Sequence, residues 1–372
     1  MSRGPGPEGG QRSTVPIADP EIGEAERDAV ESVLRDGQLA DGPVVREFED
    51  AFAGYCGTDH GVGAANGTAA LHVALEALEI GPGDRVLTTP FSFVATANAI
   101  RLAGAEPIFA DVDPETYNLD PEAVEDTLRR TDEVAAVLAV HLYGRPAPMD
   151  RLSTIASEYD VDLIEDAAQA HGAELGGRRV GSLGDVACFS FYPTKNMTTG
   201  EGGMITTDRP EVAEAAARFV NHGRGVAPGG RSGYEHLELG HNLRMTSIAA
   251  AMGLVQLEKL PRFVRARRQN AARLTEALAD VPVETPSDPR DGRHAYHQYT
   301  ITHDDRDGLA AHLEDVGVST GVYYPTPIHE QPAYAGVETS APVAERLARR
   351  VLSLPVHPGL TERDVARVAE SV

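Results

Sequence analysis

Short apolar runs alternate with helical patterns along most of the first 220 residues. The apolar runs predict strands over 85–89, 107–110, 134–143, 161–164, 186–191 and 204–207. Helical periodicity predicts helices over 93–102, 121–129, 149–159 and 210–220. Such alternation is typical of a mostly parallel sheet with helices on both faces. Because these sheets bind ligands at the carboxyl ends of their strands, we expect the chemistry directly after the apolar runs.

A chain of 372 residues is longer than one ordinary hydrophobic core supports, so two domains are expected. A long helical stretch over 247–278, with a break at Pro261, leads into a second region with candidate strands at 296–302 and 319–324. We therefore predict a large ligand-binding domain over 15–256 and a smaller α+β domain over 257–372. The Gly/Pro-rich segment 1–14 is predicted to be a disordered tail.

The charge balance restricts the partners. The formal net charge is -24, with 57 acidic and 33 basic residues, so nucleic acid and anionic membranes would be repelled. Only two of the basic residues are lysines, and this acidic, lysine-poor composition is typical of a cytosol of high ionic strength. An acidic protein of ordinary surroundings is the alternative. Two cysteines and the lack of a long apolar run predict a reduced, cytoplasmic protein without a membrane span or a metal site.

One of the two lysines, Lys195, follows the apolar run 186–191 and precedes the glycine-rich segment 200–203. A lysine amine in such a place forms a Schiff base with a carbonyl when burial tunes its pKa. The alternative is an ordinary surface lysine. Ser190 lies five residues earlier, so a hydroxyl accompanies the amine.

Three more segments follow predicted strands or open a helix. Gly67 and Thr68 begin a helical pattern and could hold a phosphate at the helix N-terminus, or simply cap it. Phe93 could stack on a planar cofactor or belong to the core. Asp166 ends an apolar strand, where it needs a partner such as a protonated pyridine nitrogen, unless it caps a helix. A phosphate site, an aromatic ring, an acid and an amine are together the groups that would bind pyridoxal 5'-phosphate.

From about residue 15 to residue 360 the chain resembles the sugar aminotransferase family called DegT/DnrJ/EryC1/StrS, a branch of the fold-type I pyridoxal phosphate enzymes. The resemblance rests on segments 36–49, 65–71, 89–96, 163–172, 189–203, 240–245, 256–259, 323–329 and 354–355. Segments 165–173 and 190–196 are close to the family pattern and specific to it. The resemblance implies an α/β fold whose large domain has a mostly parallel sheet.

The resemblance also implies residue roles. Lys195 would form the Schiff base and move a proton, and Asp166 would keep the pyridine nitrogen protonated. The other cofactor contacts it implies are Gly67, Thr68, Phe93, Gln169, Ser190 and Asn242. Asn242 would reach the cofactor phosphate of a second subunit, which makes the protein a homodimer. Tyr324 and His329 would contact substrate.

Two departures from the family pattern bear on the substrate contacts. Leu243 stands where the family frequently has an aromatic residue, and Tyr323 where it often has a histidine. His171, His297 and His329 could touch substrate, although a hydrogen-bonded structural histidine is the alternative for each.

The implied reaction is a two-step transamination. Glutamate or glutamine gives its amino group to the cofactor, and a nucleotide-linked keto-sugar then accepts it. The product is a nucleotide amino sugar for a polysaccharide, a glycan or a secondary metabolite, with amination at C3 slightly favoured over C4. The alternatives are an enzyme acting on amino acids only and a non-catalytic regulatory or binding protein. The sequence does not identify the nucleotide or the sugar.

Overall fold

The computed structural model describes residues 14–226, 232–337 and 339–372. The predicted disorder of segment 1–14 therefore falls, apart from Thr14, outside the described residues. The helices are α1 Glu24–Asp36, α2 Pro43–Cys56, α3 Gly67–Ala77, α4 Ala95–Leu102, α5 Pro121–Arg130, α6 Met149–Tyr159, α7 Pro210–Phe219, α8 Ser247–Ala277, α9 Arg306–Asp315, α10 Pro342–Arg350 and α11 Glu362–Ser371. The strands are β1 His60–Ala64, β2 Arg85–Thr88, β3 Glu106–Phe109, β4 Val134–Val140, β5 Asp162–Asp166, β6 Glu174–Leu175, β7 Arg178–Arg179, β8 Val186–Ser190, β9 Gly203–Thr207, β10 Arg224–Val226, β11 Ser232–His236, β12 Gly292–Arg293, β13 Tyr299–Thr302 and β14 Val351–Leu354.

A seven-stranded sheet in the order β1-β9-β8-β5-β4-β2-β3 is the largest sheet of the described residues. Strands β3, β2, β4, β5 and β8 run parallel, and β9 is antiparallel to both β8 and β1. The predicted mostly parallel sheet is confirmed. Since β1 runs in the same direction as β8, the carboxyl ends of β1, β2, β4, β5 and β8 lie at one edge.

Alternate side chains of the strands pack on opposite faces of the sheet. In β8, Cys188 joins the core beneath α3 and α7, whereas Phe189 joins a core with Phe48 and Phe52 of α2. The rings of Phe52 and Phe189 meet edge to face with centroids 4.9 Å apart. Apolar residues therefore fill both faces of the sheet. Polar side chains can be expected at the edge where the strands end.

The second region packs β13 against β14, with α9, α11 and the end of α8 around them. The predicted break at Pro261 is wrong, because α8 continues through it. The polar contacts beside it hold α8 on α1: Gln256 Nε2 and Lys259 Nζ both reach Glu26 Oε1 at 2.7 Å. One missing amide donor does not end a helix supported in this way. The boundary proposed at residue 257 lies within α8, and the division into domains remains a prediction.

The predicted strand over 319–324 is also wrong. Only Gly321 pairs with Ser353 of β14, as an isolated bridge. The carbonyl of Tyr323 instead accepts a hydrogen bond from the hydroxyl of Tyr143, so this segment turns toward the edge of the large sheet. Across the described residues, no helix combines the length and apolarity that a membrane span requires.

Candidate active site

A cavity of about 840 Å³ lies at the edge where the parallel strands end. Eight of the predicted site residues line it: Gly67, Thr68, Phe93, Asp166, Gln169, Ser190, Lys195 and Tyr324. They come from five separate stretches of the chain, and the sheet topology brings them together. The volume is in the range of pockets that hold a cofactor or a drug-sized ligand.

Lys195 belongs to the turn after β8, where its amide donates to the carbonyl of Tyr192 at 2.9 Å. Burial disfavours the charged ammonium and lowers the pKa of Lys195 to about 8, although the charge of Asp166 acts in the opposite direction. An amine with this pKa is partly neutral near pH 8. Lys195 can therefore act as a nucleophile toward a carbonyl and as a carrier of one proton.

Asp166 is the last residue of β5 and is 4% exposed. Thr96 Oγ1 donates to its Oδ2 at 2.8 Å, and the amide of Ala168 donates to Oδ1 at 3.2 Å. Burial raises the pKa of Asp166, and these hydrogen bonds and the charge of Lys195 offset only part of that rise. Residues 167–173 form turns rather than a helix, so the helix-cap alternative fails. A cation in the cavity would stabilise this carboxylate.

Sequence reasoning missed the hydroxyl groups that orient Asp166. Thr96 gives its one proton to Asp166, so Ser92 Oγ, 2.9 Å from Thr96 Oγ1, must be the donor of the next hydrogen bond. Both residues are buried and line the cavity. Their positions at the start of α4, facing β5, were not visible in the local pattern.

The start of α3 and the end of β8 approach each other closely. A Cβ atom on Gly67 would lie 2.6 Å from the Cβ of Ser190, so only glycine fits there. The helix is capped by Asn66, whose side chain accepts from the amide of Ala69 at 2.9 Å. Gly67 and Thr68 are therefore not needed as the cap. Unpaired amides of the first turn beside the Ser190 hydroxyl make an anion site suited to a phosphate.

Gln169 is held in one orientation. Its Oε1 accepts from the backbone amide of Tyr143 at 2.7 Å, so its Nε2 donates to the hydroxyl of Tyr324 at 3.1 Å. Burial raises the pKa of Tyr324, which keeps this hydroxyl protonated. Tyr143, which sequence reasoning missed, thus orients Gln169 through its amide.

The aromatic residue of the site is Phe93. It is 55% exposed, whereas Phe91 two residues earlier is fully buried, so the core interpretation applies to Phe91 and not to Phe93. The Phe93 ring lies 5.9 Å from the ring of Tyr324. One face of Phe93 is therefore available to a planar ligand.

The buried carboxylate of Glu165 makes several hydrogen bonds near the ends of β4 and β5. Glu165 Oε1 accepts from the amides of Leu183 and Gly184 at 2.7 and 2.9 Å. His141 Nδ1 accepts from the amide of Ala147, so its Nε2 carries a proton and donates to Glu165 at 2.9 Å. Burial raises the pKa of Glu165, but these hydrogen bonds outweigh it and the pKa is lowered. This network joins the ends of β4 and β5, next to Asp166.

The other predicted residues are less central to the cavity. His171 packs among Phe189, Phe191 and Phe52, and burial lowers its pKa to about 3, as expected of a structural histidine. His297 lines the cavity, and burial lowers its pKa well below the usual range. Asn242 is exposed, and its backbone pairs with Asn221.

His329 also lies outside the cavity lining. Its Nε2 is 3.4 Å from Glu345 Oε1. Among the described residues, His329, Glu330 and Glu345 are the one group whose possible metal-binding atoms all lie within 4.8 Å of one another.

The residues present fit pyridoxal 5'-phosphate. The cleft that a Cβ on Gly67 would fill suits the phosphate, Asp166 suits a protonated ring nitrogen, and Lys195 suits the aldehyde. Fold and site together define an enzyme of the pyridoxal phosphate-dependent class with an α/β fold. More narrowly, the chain belongs to the DegT/DnrJ/EryC1/StrS aminotransferase family, whose model matches residues 20–372.

Two curated relatives illustrate the range of names in this family. A "Pleiotropic regulatory protein" from Geobacillus stearothermophilus is 42% identical over 352 residues, which cover 92% of this chain and 92% of the relative. The UDP-2-acetamido-2-deoxy-3-oxo-D-glucuronate aminotransferase of Pseudomonas aeruginosa is 40% identical over 332 residues, which cover 89% of this chain and 90% of the relative.

Solved structures agree with the fold. DesV of S. venezuelae, in complex with a ketimine intermediate, matches with a TM-score of 0.88 and 39% identity, covering 93% of this chain and 92% of that chain. The PLP form of the putative sugar aminotransferase Spr1654 of Streptococcus pneumoniae matches with a TM-score of 0.90 and 26% identity, covering 96% and 97%. The protein is therefore an aminotransferase that uses pyridoxal 5'-phosphate.

Proposed function

We propose that this protein transfers an amino group from glutamate or glutamine to a nucleotide-linked keto-sugar, with C3 of the sugar preferred over C4. The product would be a nucleotide amino sugar for polysaccharide, glycan or secondary-metabolite biosynthesis. The observation that carries the proposal is the cavity of about 840 Å³, which leaves room beside the cofactor groups for a second, larger molecule. The name of the Pseudomonas relative, with its 3-oxo sugar, supports C3.

Pyridoxal phosphate, when bound, supplies an electron sink for the bond that breaks at the amino carbon. The residues of the chain supply the rest. Lys195 would take the proton from the amino-bearing carbon and deliver it to the aldehyde-derived carbon of the cofactor, which an amine with a pKa of about 8 can do near neutral pH. Asp166, oriented by Thr96, keeps the ring nitrogen protonated.

Three further contacts position the reactants in this proposal. Gly67, Thr68 and Ser190 bind the phosphate at the start of α3. Phe93 covers one face of the ring, and Gln169 contacts its phenolic oxygen while holding Tyr324. The hydroxyl of Tyr324 accepts from Gln169 and so keeps its own proton for a substrate oxygen.

We propose that the enzyme works as a homodimer in which Asn242 reaches the partner's cofactor phosphate. Asn242 is exposed and is not part of the lining of its own chain's cavity, although the neighbouring Leu243 is, and this supports a contact with a second subunit. Mixing Lys195→Ala subunits with Asn242→Asp subunits tests it. At equal mixing, about half of the dimers would be hybrids, and each hybrid would contain one complete site of its two. The mixture should therefore regain about a quarter of the wild-type activity. No recovery after proven subunit exchange would exclude a shared site.

The main experiment combines spectroscopy with product analysis. Bound cofactor should give a visible absorption band that glutamate or glutamine converts to the pyridoxamine form, and Lys195→Ala should abolish both band and turnover while the fold is kept. Lys259→Gln is the matched control, because Lys259 pairs with Glu26 outside the cavity. Incubation with 3-keto and 4-keto nucleotide sugars, followed by mass spectrometry, then identifies the acceptor.

A second candidate is an enzyme that acts on amino acids and keto acids alone. It predicts rapid exchange between glutamate and other keto acids, and no amination of any nucleotide sugar. A regulatory role, suggested by the name of the Geobacillus relative, is the third. A regulatory role predicts that Lys195→Ala leaves the regulatory effect of the protein unchanged.

A further inference from the structure

Lys195 also borders a second, smaller cavity. This space of about 280 Å³ is lined by the segment 18–22, by residues 193–196 and by Arg267 of α8, among others. Apart from Thr194 and Lys195, its lining residues differ from those of the cofactor cavity. The two cavities thus meet at Lys195, and the smaller one has no part in the proposed transamination.

Among the described residues, the buried cation Arg267 has no ion-pair partner. It is 5% exposed, and its Nη1 donates to the carbonyls of Tyr296 and His297 at 3.1 and 3.2 Å. Its Nε is buried and has no hydrogen-bond partner. Burial alone lowers its pKa, to about 10, with no acid opposing that shift. Burying an unpaired charge is costly, so a partner for the guanidinium is missing from the described residues.

The acids of the cavity do not fill that role. Glu21 lies in the lining, but its Oε1 is 2.6 Å from Arg262 Nη2 and 3.6 Å from Lys259 Nζ. Asp19 also lies in the lining, and the pKa of Arg267 shows no effect of an acid that would oppose burial. Removing a dianion such as sulfate from water costs more than removing a singly charged ion, so the buried site favours a small monovalent anion.

We propose that the smaller cavity binds a small monovalent anion that pairs with Arg267 beside Lys195. The anion is chloride from the solution or the carboxylate of a small organic acid. Its charge would favour the protonated form of Lys195 and so counteract burial. The ionisable groups that line the two cavities or pack behind Lys195 are Asp19, Glu21, His72, Asp166, His171, Tyr192, Glu201, Arg267, His297, Tyr323 and Tyr324.

The presence of only two lysines makes a direct test possible. Full-length protein without cofactor and with 13C at lysine Cε should give two lysine NMR signals, and Lys259→Gln assigns them. The pH midpoint of Lys195 is measured in potassium chloride and in potassium sulfate of equal ionic strength. We expect a midpoint at least about 0.5 pH unit higher in chloride, rising to saturation with concentration, and no such difference for Lys259.

Two arginine variants locate the site. Arg267→Gln should remove the difference between chloride and sulfate, whereas Arg265→Gln, an exposed arginine of the same helix, should keep it. A non-saturating dependence, or a difference that persists in Arg267→Gln, would overturn the proposal, whereas equal midpoints in chloride and sulfate would exclude chloride as the anion. The wild-type comparison decides the question even when Arg267→Gln does not fold.

Acetate and glutamate in place of chloride distinguish the two sources of the anion. A saturable shift with chloride identifies a solution anion, and a shift with acetate and glutamate but not chloride identifies a carboxylate. No shift with any of the three refutes the site. Because the readout is a lysine titration in the absence of cofactor, it is independent of the proposed transamination.

Discussion

At the scale of single residues, the two lysines show how surroundings decide chemistry. Lys259 Nζ makes a two-oxygen ion pair with Glu26, at 2.7 and 2.9 Å, and fastens α8 to α1. Lys195 has Asp166 nearby, but its amine is desolvated in the cavity, and its pKa falls from an ordinary 10.5 to about 8. The same side chain is a structural cation in one place and a reactive amine in the other.

The lowered pKa of Lys195 predicts how stability depends on pH. Between pH 8 and 10.5 the unfolded chain binds a proton at this lysine that the folded protein without cofactor does not, so the free energy of unfolding rises with pH. Lys195→Met should lack this rise, which amounts to at most roughly 3 kcal/mol. Urea unfolding at several pH values measures it. Lys259→Met should keep the rise, and parallel pH curves for wild type and Lys195→Met would contradict the prediction.

At the scale of elements, the site depends on how closely the N-terminus of α3 approaches the end of β8. Gly203 of β9 supports the same contact, because a Cβ there would lie 2.4 Å from the carbonyl oxygen of Asn66. The Glu165–His141 pair keeps β4 and β5 in register behind it. Helix α3 and strands β8 and β9 therefore position the proposed phosphate site.

Gly67→Ala tests this contact. The new Cβ would need about 1 Å more room from Ser190 than the 2.6 Å available, so α3 must shift and cofactor affinity should fall at least tenfold. Fluorescence or absorbance titration with pyridoxal phosphate measures the change. Gly54→Ala is the matched control, since nothing lies within 4 Å of its added Cβ. It should leave cofactor affinity unchanged and stabilise α2 by about 0.5–1 kcal/mol. Equal affinities in both variants would argue against the close contact.

At the scale of the whole molecule, charge repulsion opposes the fold. The net charge is -24, and exposed acids such as Glu47, Glu258 and Glu314 have no ion-pair partner among the described residues. Salt shortens the range of this repulsion to about 3 Å at 1 M. We propose that the protein is adapted to high ionic strength.

The melting temperature should therefore rise by at least about 5 °C between 0.1 M and 2 M potassium chloride. The triple variant Glu47→Gln/Glu258→Gln/Glu314→Gln should melt higher at low salt and depend less on salt. Differential scanning calorimetry measures both. A melting temperature independent of salt, or an unchanged salt dependence in the variant, would show that repulsion is not what salt relieves.

Local sequence patterns predicted much of the fold because they act over a few residues. The predicted helix 149–159 coincides with α6, and the strands of the parallel sheet were placed within a few residues. Patterns failed where distant contacts decide the outcome. Packing against α1 stabilises α8, which stays helical through Pro261. The carbonyl of Tyr323 accepts a hydrogen bond from the hydroxyl of Tyr143 and does not pair with a neighbouring strand of the described residues.

The sequence by itself determined the alternation of strands and helices, the large negative charge and the candidate reactive lysine, because each depends on composition or on neighbours in the chain. Only the tertiary structure decided that Thr96 orients Asp166, that Tyr143 orients Gln169, and that Arg267 borders the same small cavity as Lys195. These pairs are 26 to 72 residues apart in the chain. Contacts of that kind exist only once the sheet has brought its strand ends to one edge, and no local pattern encodes them.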